Sequence, residues 1–312
     1  MSKYYRHFGL ERDPFLDTAD PYFYCEAVSS RRAKARLIAS VEQSRGMTVI
    51  IGEPGTGKTS LCGAIEQDLM SRDNVILGKI LDPTFASDIE FLIALGRVFG
   101  LALPPRSGAA LKNSLKNFFF DAAVLESRTL VLIIDEAQNL SDECLETLRL
   151  LLNYHIPQKK LLNILLFGQS ELESRILARV NLADRVDAWI RLEPLDESRM
   201  KTLIDFRLTR AGLAPNTQVF SPEALQTIMF GSEGLPRRLT TLAHTAMLEA
   251  AERGSACVFE EHAAASVRSR GGSLPLAPAP AAGAVGTNGY AGTNGRLDHP
   301  LIRWWRRLAG GA

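Results

Sequence analysis

A glycine-rich segment near the start of the sequence has residue types that suit phosphate binding. Residues 52–59 read Gly-Glu-Pro-Gly-Thr-Gly-Lys-Thr and match the pattern G-x-x-x-x-G-K-[ST]. Glycines let backbone amides approach phosphate oxygens closely, and the following helix start adds a positive dipole end. Lys58 supplies a mobile charge for the outer phosphates, and the Thr59 hydroxyl suits Mg²⁺. The predicted nucleotide-binding residues are Gly52, Glu53, Pro54, Gly55, Thr56, Gly57, Lys58, Thr59 and Ser60.

Two adjacent carboxylates form a second candidate for chemistry. Asp135 and Glu136 follow the run Leu-Val-Leu-Ile-Ile at 130–134, which is typical of a fully buried strand. Open α/β sheets bind ligands outside the carboxyl ends of their strands. Acids often end strands, so the pair alone is weak evidence, but the upstream phosphate loop favours catalysis. We therefore predict that Asp135 holds Mg²⁺, directly or through water, and that Glu136 polarises the attacking water.

Other polar residues are candidates with open alternatives. Gln169 follows the apolar run 161–167, where it would contact the γ-phosphate or its water, or cap the turn. Arg237 and Arg238 stand near a helix start and would reach the phosphates or form a structural salt bridge. Further arginines, any of which would act on a neighbouring subunit's γ-phosphate or pair at the surface, are Arg175, Arg179, Arg185 and Arg191.

The elements that must position these residues alternate between strands and helices. The predicted strands are 47–51, 75–81, 130–134 and 161–167. The predicted helices with both bounds are 31–45, 60–69, 88–100, 107–126 and about 234–254, and the first of them has a basic, solvated start. Two further helices are predicted to begin at Ser141 and at Ser221. This order predicts an α/β fold, a parallel sheet with helices on both sides. From residue 195 helical patterns dominate, which predicts a small all-α domain over 195–268.

The two ends of the chain have distinct compositions. Residues 1–30 are rich in aromatics and prolines, and we expect an irregular strap that borders the adenine or serves packing only. The Gly/Pro/Ala-rich residues 269–295 predict a flexible, disordered linker. Residues 296–312 form a cationic tail. Four apolar residues of the tail share one helical face, and they are Leu301, Trp304, Trp305 and Leu308. Three interpretations are open: the tail binds an anionic membrane surface, it docks into a groove of a partner, or it has no role.

Bulk composition narrows the class of protein. The length of 312 residues suggests two domains, and 46% hydrophobic residues supply a core. A net charge of +1 gives no case for bulk nucleic-acid binding, although a local basic patch stays open. The scattered cysteines predict small buried thiols in a reducing compartment. We expect a cytoplasmic protein, because the N-terminus lacks a signal-peptide core and no window has the roughly 18 apolar residues of a membrane span.

Several motifs together resemble one lineage of AAA+ ATPases, the ExeA/GspA-like secretion ATPases. They are the HFGL…PF opening between residues 5 and 15, then GEPGTGKTSLC, LIIDEAQNLS, LLNILLFGQSEL, LADRVDAWIRLEPL and GLPRRL. The resemblance covers roughly residues 4–267. It implies a five-stranded core with a helical lid, and nucleotide-driven oligomerisation with sites at subunit interfaces.

The same resemblance implies a role for each candidate residue. Lys58 and Thr59 take the Walker A positions, and Asp135 and Glu136 the Walker B positions. Gln169 corresponds to sensor 1, Arg237 to sensor 2, and Arg185 to the arginine acting in trans. At this last position the family has Gln-Arg-Ile, whereas the present chain has Asp184-Arg185-Val186. The residues expected to be catalytic are therefore Lys58, Glu136, Gln169, Arg185 and Arg237.

The expected function is hydrolysis of ATP with Mg²⁺ to drive or license assembly of a bacterial envelope export system of the type II secretion, pilus or exopolysaccharide kind. The expected partners are further copies of the chain and a protein of that system. Alternatives are a DNA-dependent ATPase that regulates transposition, with nucleic acid the less expected partner, and a nucleotide-binding scaffold with little turnover. The expected domains are 1–194, 195–268, the linker 269–295 and the tail 296–312.

Secretion-type members continue through a transmembrane helix into a periplasmic, peptidoglycan-binding part. The present sequence instead continues from its linker into the Leu301–Leu308 segment. We therefore expect peripheral contact with the inner membrane rather than a role in the cell wall.

Overall fold

The computed structural model describes residues 3–16, 20–26, 28–102, 107–157 and 159–271. The tail predicted at 296–312, and the linker beyond residue 271, lie outside the described residues. Among the helices of the described part, none has the length and apolar character needed to cross a membrane.

A five-stranded parallel sheet forms the centre of the fold. The strands in chain order are β1 (Met47–Gly52), β2 (Val75–Ile80), β3 (Thr129–Ile134), β4 (His155–Ile156), β5 (Lys159–Lys160), β6 (Leu162–Gly168) and β7 (Val186–Leu192). The short strands β4 and β5 pair with each other in a separate antiparallel hairpin, and the other five form the sheet. In the sheet they lie in the order β2-β3-β6-β1-β7. All four strands that the apolar runs predicted are present, within a residue of their expected bounds.

The residue pattern did not predict β7, although the family resemblance implied a fifth strand. β7 pairs only with β1, so it is an edge strand of the sheet. Its residues alternate between buried Ala188, Ile190 and Leu192 and more exposed positions. This period-two alternation in Val-Asp-Ala-Trp-Ile-Arg-Leu is the signal of a half-exposed strand, whereas the other predictions relied on continuous apolar runs.

Helices cover both faces of the sheet, as predicted. The helices in chain order are α1 (Val28–Glu42), α2 (Lys58–Met70), α3 (Asp88–Val98), α4 (Gly108–Phe120), α5 (Asp142–Leu151), α6 (Ser170–Leu177), α7 (Val180–Ala183), α8 (Glu197–Arg210), α9 (Pro222–Ser232), α10 (Pro236–Glu252) and α11 (Glu260–Ser269). The predicted caps hold, because the hydroxyls of Ser87, Ser141 and Ser221 each accept a backbone N–H three residues further on.

Alternate residues of each central strand enter two different cores. In β3, Leu132 and Ile134 pack on one face with α3 to α7. Val131 and Ile133 pack on the other face with α1 and α2. Because side chains point to opposite faces with period two, a strand covered on both sides needs an apolar residue at every position. This explains the unbroken apolar run at 130–134.

A third core joins the N-terminal strap to helices α8 to α11. Phe8, Leu10 and Phe15 are buried within it. The Tyr4 hydroxyl donates to Asp13 Oδ1 at 2.6 Å and lies 2.9 Å from Nδ1 of His244 on α10. The two ends of the described chain therefore share one core, and the division into domains 1–194 and 195–268 stays a prediction.

Candidate nucleotide site

The strand order brings the predicted site residues to one edge of the sheet. β6 lies between β1 and β3, with Ile51 opposite Gly168 and Leu166 opposite Ile134. Gln169, directly after β6, therefore lies between the glycine loop and the acid pair. The carboxyl ends of parallel strands meet at a single edge, which is where α/β sheets bind ligands.

The glycine loop connects β1 to α2. Gly57 has φ +95°, a conformation that favours glycine, and a Cβ added there would meet nothing within 4 Å. Gly52 is required for a different reason, because a Cβ there would lie 2.6 Å from Thr56 Oγ1. That hydroxyl donates to the carbonyl of Glu53 at 2.8 Å and fixes the turn. The loop is thus open on the side that a phosphate would approach.

Lys58 is buried at the first position of α2, with 5% of its surface exposed. Its Nζ donates to the carbonyls of Gly52 at 2.8 Å and Glu53 at 3.1 Å. Burial lowers the pKa of Lys58, while the charges of Glu136 and Asp135 oppose that shift. An anion beside Nζ would favour the ammonium form in the same way.

Asp135 is also buried, with 3% exposed, and it contacts the glycine loop. The Thr59 hydroxyl lies close enough to its carboxylate to act on the pKa of Asp135. Burial raises the pKa of Asp135, and the backbone N–H of Glu136 and the Thr59 hydroxyl oppose the rise. Because a cation would offset the cost of this buried carboxylate, the two oxygen donors fit Mg²⁺, which takes one or two carboxylates and completes its shell with phosphate and water.

Glu136 is held in place by two amide side chains. It has φ +50°, a left-handed conformation that few non-glycine residues adopt, at the start of the short 3₁₀ turn Ala137–Asn139. Its Oε2 accepts a short hydrogen bond from Gln138 Nε2 and another, at 3.4 Å, from Gln169 Nε2. Sequence reasoning did not single out Gln138, whose only signal was its place in the DEAQNLS motif.

The structure separates the two arginines that open α10. The Arg237 side chain lines the same cavity as Lys58, and its backbone N–H donates to the carbonyl of Gly55 at 3.2 Å. Arg238 instead pairs with Glu233 at 2.9 Å. Arg238 thus has a salt-bridge partner and the backbone of Arg237 lies at the phosphate loop, and the contact of Arg237 with phosphate stays a prediction.

Arg185 lies far from this edge of the sheet. Val186 pairs with Met47 at the amino end of β1, whereas the phosphate loop follows the carboxyl end at Gly52. Six residues of strand separate the two ends, a distance of roughly 20 Å. The other candidates have partners on their own chain, since Arg175 and Arg179 both pair with Asp142 and Arg191 pairs with Glu173.

A cavity of about 330 Å³ lies between the glycine loop, Glu136, Gln169 and Arg237. This volume is typical of small-molecule sites. Lys58, Glu136, Gln169 and Arg237 line its polar end, and the strap residues Leu16, Phe23, Tyr24 and Cys25 line it as well. The strap therefore packs in a core and also borders the cavity, and its contact with the adenine stays a prediction.

The fold and the cavity define an AAA-type P-loop ATPase. Residues 41–176 match the family model described as AAA domain. General secretion pathway protein A of Aeromonas hydrophila is 32% identical over 254 residues, a match that covers 81% of this chain and 46% of that protein. The chain thus spans about half the length of this curated relative. On these matches it is an ExeA/GspA-like AAA ATPase, as the sequence motifs predicted.

Solved structures of low sequence identity share the fold. The ORC2 protein of Aeropyrum pernix, in its ADPNP and ADP complexes, aligns with TM-score 0.61 and 19% identity over 83% of this chain and 71% of that chain. The Drosophila ORC bound to DNA aligns with TM-score 0.64 and 17% identity over 87% and 67%. The Thermotoga maritima RuvB branch migration motor aligns with TM-score 0.51 and 16% identity over 80% and 73%.

The position of Cys25 gives a direct test of where nucleotide binds. Four thiols are free in the described chain; Cys62 and Cys144 are buried as predicted, whereas Cys25 and Cys257 are partly exposed. We expect ATP to slow the reaction of Cys25 with a maleimide, because Cys25 lines the cavity. Labelling of Cys257 serves as the control and should not change. Peptide mass spectrometry measures both rates, and equal labelling of Cys25 with and without ATP would place the nucleotide elsewhere.

Proposed function

We propose that the chain hydrolyses ATP with Mg²⁺ in the cavity between the glycine loop and the acid pair. The observation that carries this proposal is the proximity of the Thr59 hydroxyl to the buried Asp135 carboxylate. It joins the loop suited to phosphates with the acid suited to their metal, at the cavity that Lys58 and Glu136 line. Mg²⁺ held at Thr59 and Asp135 would neutralise charge on the β- and γ-phosphates.

The proposed reaction is an in-line displacement at the γ-phosphorus. Glu136 polarises a water and accepts its proton as the water oxygen bonds to phosphorus, and the bond to the ADP oxygen breaks. Lys58 exchanges its carbonyl acceptors for phosphate oxygens and stabilises the charge that develops there. Gln169, which lies between the loop and Glu136, contacts the γ-phosphate or the attacking water. Arg237 approaches the phosphates from the first turn of α10.

Two substitutions separate binding from turnover. Glu136→Gln should keep ATP affinity and lower kcat by about 10²-fold or more, because the neutral amide cannot accept the proton. Lys58→Ala should instead abolish nucleotide binding. Phosphate release and a fluorescent-nucleotide titration measure the two properties. Turnover of Glu136→Gln at the parent rate would exclude Glu136 as the base, and tight ATP binding without turnover by the parent would favour the scaffold alternative.

We also propose that the chain assembles with copies of itself and that Arg185 acts on a neighbour's γ-phosphate. Arg185 is about one strand length from its own phosphate loop, so a role at phosphates requires a second subunit. Lys160 is a cationic neighbour of Arg185. It lies near the amino end of β1, because its side chain would come within 3.3 Å of a Cβ added at Gly46. Burial lowers the pKa of Lys160, and the positive charge of Arg185 lowers it further. An anion placed beside these two cations would therefore be stabilised.

A mixing experiment tests the action in trans. Arg185→Ala alone should turn over slowly, since an arginine acting in trans is worth about 10³ to 10⁵ in rate. Mixing it with Glu136→Gln, which supplies Arg185 but cannot hydrolyse, should restore turnover measured by phosphate release. Arg191→Ala is the matched control and should be active alone, because Arg191 pairs with Glu173 of its own chain. Parental turnover by Arg185→Ala alone would contradict the proposal.

The cellular role we propose is to drive or license assembly of an envelope export system at the cytoplasmic face of the inner membrane. The relation to general secretion pathway protein A supports this role. The spacing of Leu301, Trp304, Trp305 and Leu308, with arginines between them, supports peripheral membrane contact.

Vesicle flotation tests the membrane contact. The full chain should float with vesicles that contain anionic phosphatidylglycerol, and less so as salt rises, because the tail combines apolar anchors with positive charge. Deletion of residues 296–312 should abolish flotation, and the pair Trp304→Ala and Trp305→Ala should weaken it while keeping every charge. Undiminished flotation after the deletion would exclude the tail as the anchor. Strong, salt-sensitive stimulation of turnover by duplex DNA would instead favour the DNA-dependent alternative.

A further inference from the structure

The Gln138 side chain bridges the acid Glu136 and the segment that follows β6. Its Nε2 donates a short hydrogen bond to Glu136 Oε2, and its Oε1 accepts the backbone N–H of Gln169 at 3.2 Å. Both ends of the amide are therefore used. The reversed amide would place its oxygen against a carboxylate and its NH₂ against an N–H, so only one orientation satisfies both partners.

The backbone around Gln138 is fixed as well. Its carbonyl accepts from Arg175 Nη1 at 2.8 Å, and the same guanidinium pairs with Asp142 at 2.5 Å. A Cβ at Gly168 would lie 3.3 Å from Gln138 Oε1 and 2.5 Å from Leu172 Cδ2, so glycine at this position leaves space for both side chains. Gln138 is thus held through its backbone carbonyl by α6 and through its side-chain amide by Gln169 after β6, both outside its own turn.

These contacts divide the two oxygens of Glu136 between different tasks. Oε2 accepts from Gln138 and from Gln169. Among the described residues no hydrogen bond reaches Oε1, and Glu136 lines the cavity. Oε1 is therefore the oxygen that remains to accept a proton from water.

We infer that Gln138 is a positioning residue for hydrolysis, which fixes Oε2 of Glu136 so that Oε1 meets the attacking water. This inference rests on the proposed function. Gln138 itself is not among the residues that line the cavity. Its contribution lies in holding a side chain whose backbone has a sparsely populated conformation and whose carboxylate would otherwise rotate.

The test is Gln138→Met, which keeps the length of the side chain and removes both hydrogen bonds. We expect kcat to fall about 10- to 100-fold, the cost of misplacing a catalytic group by about 1 Å, with the Kd for ATP and the Tm near parental values. In a Glu136→Gln background the same change should alter the residual rate by less than about 2-fold, since groups that act as a unit are not additive. Gln218→Met is the matched control, because Gln218 donates to the Phe220 carbonyl in a loop that does not line the cavity.

A second variant supplies a readout that a purely structural role would not change. Gln138→Glu keeps the size of the side chain and the acceptor for the Gln169 amide, but its ionised form has no donor for Glu136. We expect low kcat at pH 8 and recovery relative to the parent toward pH 6, because the protonated introduced carboxyl donates again.

Three results would overturn the inference: parental kcat in Gln138→Met, an equal further loss in the Glu136→Gln background, or no relative recovery of Gln138→Glu at low pH. Failure of the proposed function would be distinguishable, because the parent enzyme would then lack turnover, or Glu136→Gln would retain it.

Discussion

The close approach of the Thr59 hydroxyl to the Asp135 carboxylate is the contact on which the site depends. The two residues follow different strands, β1 and β3, which do not pair with each other because β6 lies between them. The contact forms only if the register of both strand pairs with β6 is correct. Burial of Asp135 makes this requirement strict, since a buried carboxylate without its donors would be costly. The geometry of the sheet thereby controls the geometry of the chemistry.

Burial acts in opposite directions on the two central charges. It lowers the pKa of Lys58 and raises that of Asp135, so each group is driven toward its neutral form. The charges of Glu136 and Asp135 oppose the shift at Lys58, and the charge of Lys79 opposes the shift at Asp135. A complex of a nucleotide with a divalent cation carries both signs of charge, and it would stabilise the ionised form of both groups at once. The same burial that makes the site costly to fold therefore favours a charged ligand of this composition.

The cavity is bounded by segments from both ends of the described chain. The first turn of α10 contacts the phosphate loop through the Arg237 amide and Gly55. The strap is tied to the same helix through Tyr4 and His244, and its Phe23 lies under the Arg207 guanidinium at 5.6 Å. A ligand in the cavity would touch the loop, the strap and the C-terminal helices together. This arrangement gives nucleotide binding a physical route to the packing of the helical region.

Elements whose signals are local could be read from the residue pattern alone. The glycine loop, the strand that ends at Asp135, the serine caps and the family were readable because continuous apolar runs, cap residues and a fixed motif each act within a few residues. Tertiary structure decided what depends on strand order and on facing side chains: the edge strand β7, the choice of Arg237 over Arg238 at the phosphate loop, and the distance of Arg185 from its own site. Gln138 belongs to this second group, because its inferred role depends on Gly168 at the end of β6 and on Gln169 directly after it. Spacing along one segment carries no information about a partner that only the fold brings near.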